Sequence, residues 1–111
     1  MCSVLLVCRF VVPPEERAPF VGRAEKALAL LTEAKGCLHA SLGRAVDGED
    51  RWVLVVHFES VVAYRRALSP FPVREHVIPL LSEALADEPA GFETLADAEN
   101  GVVTTHPSLL A

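Results

Sequence analysis

The sequence predicts a single α+β domain: an antiparallel sheet with helices on one of its faces. Three observations carry that expectation. Two segments, Ser3 to Val12 and Arg51 to Glu59, are dense in Val, Leu and Phe and bounded by proline or turn residues, the pattern of buried strands. Between and after them, apolar residues recur at helical spacing. The chain has 111 residues, enough for one hydrophobic core and no more, so every element must share it.

Taken in order, the first strand ends at Pro13-Pro14, because proline cannot continue a ladder. Pro14 suits the first turn of a helix, and Glu15 and Glu16 suit its positive end. Phe20, Ala24, Ala27, Leu28 and Leu31 then form one stripe, predicting a helix from Pro14 to about Gly36. Residues 37 to 46, "CLHASLGRAV", and 51 to 59, "RWVLVVHFE", flank the turn "DGED" and predict a hairpin of strands two and three. Ser60 is placed to cap the next helix, which carries Tyr64, Ala67 and Leu68 until "SPFP" interrupts it. A further helical stretch from about Val73 to Ala86 directs Val77, Leu80, Leu81, Ala84 and Leu85 inward, with Pro79 bending it. A shorter fourth strand is expected from Gly91 to Asp97. Residues 98 to 111 form an extension in which "VVTTH" is an extra strand. The whole chain, 1 to 111, is expected to be one domain with its core at about 3 to 97.

This order of elements is the split βαβ arrangement of a ferredoxin-like sheet, in which both helical segments cover the same face. The other face is apolar as well. Strand one offers Leu6, Cys8 and Phe10 to one side and Leu5, Val7 and Val11 to the other. Strand three sets Leu54, Val56 and Phe58 against Val53 and Val55. A soluble monomer does not leave such a sheet face in water, so the expectation is a homodimer in which a second copy covers it, a dimeric α+β barrel.

Charge and composition narrow the function classes. A net charge of -5 and scattered arginines oppose binding to nucleic acid or anionic lipid, and strand three lacks the glycine-aromatic pattern of an RNA-binding sheet. No apolar run reaches the length of a membrane span, and the N-terminal stretch "MCSVLLVCRFVV" lacks the basic region and cleavage site of a signal peptide. Cys2, Cys8 and Cys37 cannot form a closed disulfide set, since Cys2 and Cys8 on one strand would lie about 20 Å apart. Reduced thiols point to the cytoplasm. The histidines at 39, 57, 76 and 106 show no metal-ligand spacing, and no glycine-rich phosphate loop is present. No metal or cofactor is expected.

The run "FESVVAY" at the end of strand three, followed by "ALSP" and a broken helix, resembles the antibiotic biosynthesis monooxygenase family of the dimeric α+β barrel superfamily. The resemblance extends over about residues 3 to 97. It implies an activity from a set that includes oxidation of aromatic polyketides without metal or flavin, quinol oxidation and haem degradation, alongside members with no established reaction. The polyketide-oxidising branch uses an asparagine on strand three, a tryptophan four residues later and a tyrosine on the following helix; those positions here are Leu54, Phe58 and Tyr64. Only the tyrosine is retained, so the donor that would face a developing oxyanion is missing. Matched to the haem-degrading branch, Cys8, Ala67 and Arg74 occupy the asparagine, tryptophan and histidine positions, with His76 two residues from the last. Haem is disfavoured.

The candidate site follows. Tyr64, an apolar ring with a polar tip, is the residue expected to orient a phenol or quinol, and His76 is the candidate general base. Cys8, Phe58, Phe71 and Arg74 are expected to border the same pocket, Arg74 through a fork of hydrogen bonds to an anionic group. Each has a structural alternative: Tyr64 packing at a helix start, His76 half-exposed, Arg74 paired with Glu75, Cys8 as a small core residue. Arg9, His57 and Glu59 fall on the opposite face. Two functions stand side by side: a cofactor-independent oxygenase for a small aromatic compound, and a dimeric binding or scaffold module that kept the fold without the chemistry.

Overall fold

A computed structural model describes residues 3–109. Strand β1 (Val4–Val11) leads through a single turn of 3-10 helix, Pro14–Glu16, into helix α1 (Arg17–Thr32). Strands β2 (Cys37–Arg44) and β3 (Arg51–Phe58) form the hairpin, and three short helices follow: α2 (Val61–Ala67), α3 (Phe71–His76) and α4 (Ile78–Leu81). Strand β4 (Gly91–Glu93) completes a four-stranded antiparallel sheet in the order β2-β3-β1-β4. That is the ferredoxin-like order expected of the split βαβ sequence. Strands β5 (Ala96–Glu99) and β6 (Val102–Thr105) form a separate two-stranded sheet.

Alternation along the central strands sorts the side chains cleanly. Val4, Leu6, Cys8 and Phe10 of β1 and Leu54, Val56 and Phe58 of β3 are all buried, on the face the helices cover. Phe20, Ala24, Ala27 and Leu31 of α1 meet them, at the spacing that puts four residues on one stripe of a helix. Two alanines in the middle of that stripe let the helix sit close to the sheet. Ala63 and Ala67 of α2, Val73 of α3, Val77, and Leu80 of α4 complete the core. Opposite them, Leu5, Val7, Val53 and Val55 are only half-buried, and Phe92 is 44% exposed.

Several boundaries differ from the sequence expectations. The first helix does not begin as α-helix at Pro14: the chain makes one 3-10 turn, and α1 stops at Thr32, before a tight turn into Gly36 at φ +91°. Ser60 does cap α2, its hydroxyl accepting the Ala63 N–H at 3.0 Å, and "SPFP" does end that helix. Beyond it, Pro79 does not bend a long helix but sits in the first turn of a separate four-residue one. The helical stretch ends at Leu81 rather than Ala86. The fourth strand is three residues long, not seven, because residues from Ala96 onward turn at Asn100-Gly101, both at positive φ, and pair with Val102–Thr105. Asn-Gly is a strong short-range hairpin signal, and here it takes 96–99 away from the main sheet.

Candidate functional site

Strand register brings three residues into one row across the helix-covered face. Val4 pairs with Phe58 on one side and with Glu93 on the other, so Phe58, Val4 and Glu93 lie side by side on β3, β1 and β4. Two residues along β4, Gly91 pairs with Leu6 and presents no side chain to that face. Tyr64 enters from above. The Ser60 cap starts α2 immediately after β3, which lays the Tyr64 ring 5.5 Å from that of Phe58, inclined by 55°. Its hydroxyl reaches towards the bare backbone of Gly91, where an added methyl would stand 3.9 Å from the oxygen.

The result is a cleft of about 230 Å³ lined by Val4, Val61, Tyr64, Arg65, Gly91 and Glu93, with Phe92 and Leu109 completing it. Its walls are mostly apolar, and its polar groups are few: a phenol, a carboxylate and an exposed guanidinium. That combination suits a small ring bearing one or two hydroxyls. The Tyr64 hydroxyl makes no hydrogen bond to the described residues. Glu93 is half-buried and fixed: its Oε1 accepts the Ser108 hydroxyl and its Oε2 accepts the Leu109 N–H at 3.1 Å. Neither Gly91 nor Glu93 was a candidate on sequence. The signal was the alternation within "GFE", which sends 91 and 93 to the same side once β4 is recognised as short.

The other sequence candidates lie elsewhere. Phe58 does not line the cleft: it is fully buried beneath the Tyr64 ring. Cys8 is on the same face but pairs with Leu54, four residues or about 13 Å along β1 from Val4. Burial pushes its thiol pKa up, so it is a neutral core side chain rather than a nucleophile. Phe71, Arg74 and His76 sit on α3, which the "SPFP" break turns away from α2 to pack on α1. None of the three lines the Tyr64 cleft. Phe71 is 70% exposed, Arg74 is exposed, and His76 Nε2 lies 2.9 Å from Glu75 Oε1. Glu75 thus pairs with His76, not with Arg74. Leu54, where the resemblance places an asparagine, is fully buried in the core.

The opposite face holds a broader concavity of about 390 Å³, bordered by Val7, Arg9, Arg51, Val53 and Leu85. Arg9 is committed there to Asp87 at 2.7 Å and Glu88 at 3.3 Å, and His57 to the Ser3 hydroxyl at 3.1 Å. Trp52, at the edge of the core, packs edge-on against Phe20 at 5.6 Å and beneath the Arg44 guanidinium at 5.7 Å. Among the described residues, no group of three or more His, Cys, Asp or Glu could hold a metal, and no helix is long and apolar enough to cross a membrane.

A family model described as antibiotic biosynthesis monooxygenase matches residues 3–70. Among curated proteins none matches the sequence. Several solved structures share the fold. A conserved protein from Methanosarcina mazei superposes with a TM-score of 0.69 at 17% identity, covering 84% of this chain and 91% of that one. A protein from Mycobacterium tuberculosis gives 0.67 at 18% identity, with coverages of 88% and 98%. A variant of SnoaB, a cofactor-independent oxygenase from Streptomyces nogalater, gives 0.66 at 20% identity, with coverages of 97% and 96%. At such identities the likeness speaks to the fold alone.

Proposed function

This chain belongs to the antibiotic biosynthesis monooxygenase family, and we propose on that premise that its Tyr64 cleft binds a small phenol or quinol and holds it for oxidation by dioxygen without a cofactor. The observation that carries the proposal is the Tyr64 hydroxyl, aimed beside Gly91 into a mostly apolar cleft with no partner among the described residues. A bound hydroxyl would supply that partner, while Val4 and Val61 flank the ring. The electron-rich substrate loses a proton and passes one electron to O₂. Recombination of the two radicals forms a carbon–oxygen bond, and loss of water leaves one oxygen atom on the product. The protein's part is confinement and orientation.

The test is oxygen uptake with a panel of phenols and quinols by the parent protein and by Tyr64→Phe. Uptake above the protein-free rate that falls in the variant supports the proposal. Uptake that never exceeds the protein-free rate overturns the catalytic part of it.

A second reading, a binding module without chemistry, is favoured by Leu54. Its complete burial leaves an apolar side chain where an oxyanion would need a hydrogen-bond donor. Aromatic binding with no oxygen uptake would select this reading. In both readings the protein acts as a homodimer. The half-buried Leu5, Val7, Val53 and Val55 give the open face an apolar centre, with His57 opposite Leu5 and Arg9 opposite Val53, that a second copy would cover by two-fold symmetry.

A further inference from the structure

We infer that Glu93 sets the specificity of the Tyr64 cleft, admitting neutral aromatics that donate a hydroxyl hydrogen bond and excluding those that carry a carboxylate; this rests on the reading that the cleft binds an aromatic compound. Glu93 lies in the same cross-strand row as Phe58, two strand spacings or about 10 Å away, with Val4 as the floor between them. Tyr64 stands over Phe58, so its phenol and the Glu93 carboxylate border one cleft from two sides.

The carboxylate is held for that task. The Ser108 hydroxyl and the Leu109 N–H each bind one of its oxygens, which fixes its plane but leaves further lone pairs on both. An ionised carboxylate accepts and cannot donate, so the group that satisfies it is a hydrogen-bond donor, which on a neutral phenol or quinol is the hydroxyl, and the bond is charge-assisted. A ligand carboxylate would instead meet like charge in a half-buried place, where repulsion is weakly screened. Arg65 lines the same cleft and would favour an anion, but it is exposed, and solvent and salt screen it. Glu93 therefore decides the sign of the selection.

The experiment compares 1-naphthol with 1-naphthoate, two probes of similar size, by calorimetry on the full chain. The parent should bind the naphthol at least tenfold more tightly than the naphthoate. Glu93→Gln removes the charge, so naphthol binding should weaken about tenfold and naphthoate binding should strengthen. Glu93→Asp keeps the charge but shortens the reach, so it should weaken naphthol while still excluding naphthoate. Circular dichroism checks that each variant is folded; if Glu93→Gln is not, the Glu93→Asp result decides. Naphthol binding that is lost in Tyr64→Ala but unmoved in Glu93→Gln overturns the role of Glu93 and leaves the aromatic cleft standing. Binding that ignores Tyr64→Ala overturns both.

Discussion

The Tyr64 ring rests on Phe58 at 5.5 Å while its hydroxyl points past the backbone of Gly91, so one residue serves packing with its face and recognition with its tip. The two roles separate by mutation. Tyr64→Phe removes only the hydroxyl, and binding of a phenolic ligand should weaken by about 0.5–1.5 kcal/mol with little change in stability. Tyr64→Ala also removes the ring from Phe58, and stability should fall by about 3 kcal/mol. Calorimetric titration and urea unfolding of both variants check this. Identical ligand affinity in the parent and Tyr64→Phe would show that the hydroxyl has no role.

Gly36 fixes how α2 sits against the end of α1. It holds φ at +91°, and a methyl group added there would lie 2.5 Å from the Ala63 Cβ, on the inner face of α2. Its carbonyl also accepts the Glu59 N–H at 2.8 Å, just before the Ser60 cap. Gly36→Ala should therefore cost more than about 2 kcal/mol, from backbone strain and overpacking together. Because the shift would pass to α2, the variant should also bind aromatic probes less tightly. A urea midpoint equal to the parent's would contradict this account.

The frame of the molecule was legible because two periodicities are unambiguous in it. Period-two alternation in β1 and β3 and the Phe20, Ala24, Ala27, Leu31 stripe fix the sheet, its helix-covered face and the core. The Ser60 cap and the "SPFP" break were equally plain, since each follows from one side-chain oxygen or from missing N–H groups. The site was less legible because it depends on where chain segments go after a break. Phe71, Arg74 and His76 follow Tyr64 closely in sequence, yet the redirected α3 takes them to α1. Glu93 is 29 positions beyond Tyr64 (93 − 64) and reaches the same cleft only through the pairing of β4 with β1. Nothing local to either residue encodes that meeting.

Arg23 and Glu83 tie α1 to the turn after α4 by two hydrogen bonds, at 2.8 and 3.1 Å. The bond from Arg23 holds the Glu83 carboxyl below its ordinary pKa. A carboxyl depressed in the folded state stabilises the fold above its unfolded pKa, and that contribution is lost as pH falls through the folded value. Both side chains are well exposed, so the contribution should stay below about 1 kcal/mol. Urea unfolding of the parent and Glu83→Gln should therefore differ slightly at neutral pH. The difference should shrink below about pH 4, where the carboxyl of the unfolded chain is already protonated. A difference that grows on acidification would mean that some other group governs the acid limb.

The open face of the sheet makes the most direct claim about assembly. Val55 lies at its centre, opposite Val7 on β1 and Ser41 on β2, and is only half-buried in the single chain. If a second copy covers this face, Val55→Asp would place a carboxylate in a dry seam at a cost of several kcal/mol. If the face is open to water, the same carboxylate is solvated and costs little. The parent protein should therefore sediment as a dimer at micromolar concentration, and Val55→Asp should sediment as a folded monomer with near-parent circular dichroism. Ser41→Asp, on the neighbouring strand and already exposed, should weaken association less. A monomeric parent would overturn the homodimer, and a Val55→Asp variant that still dimerises would move the interface away from this face.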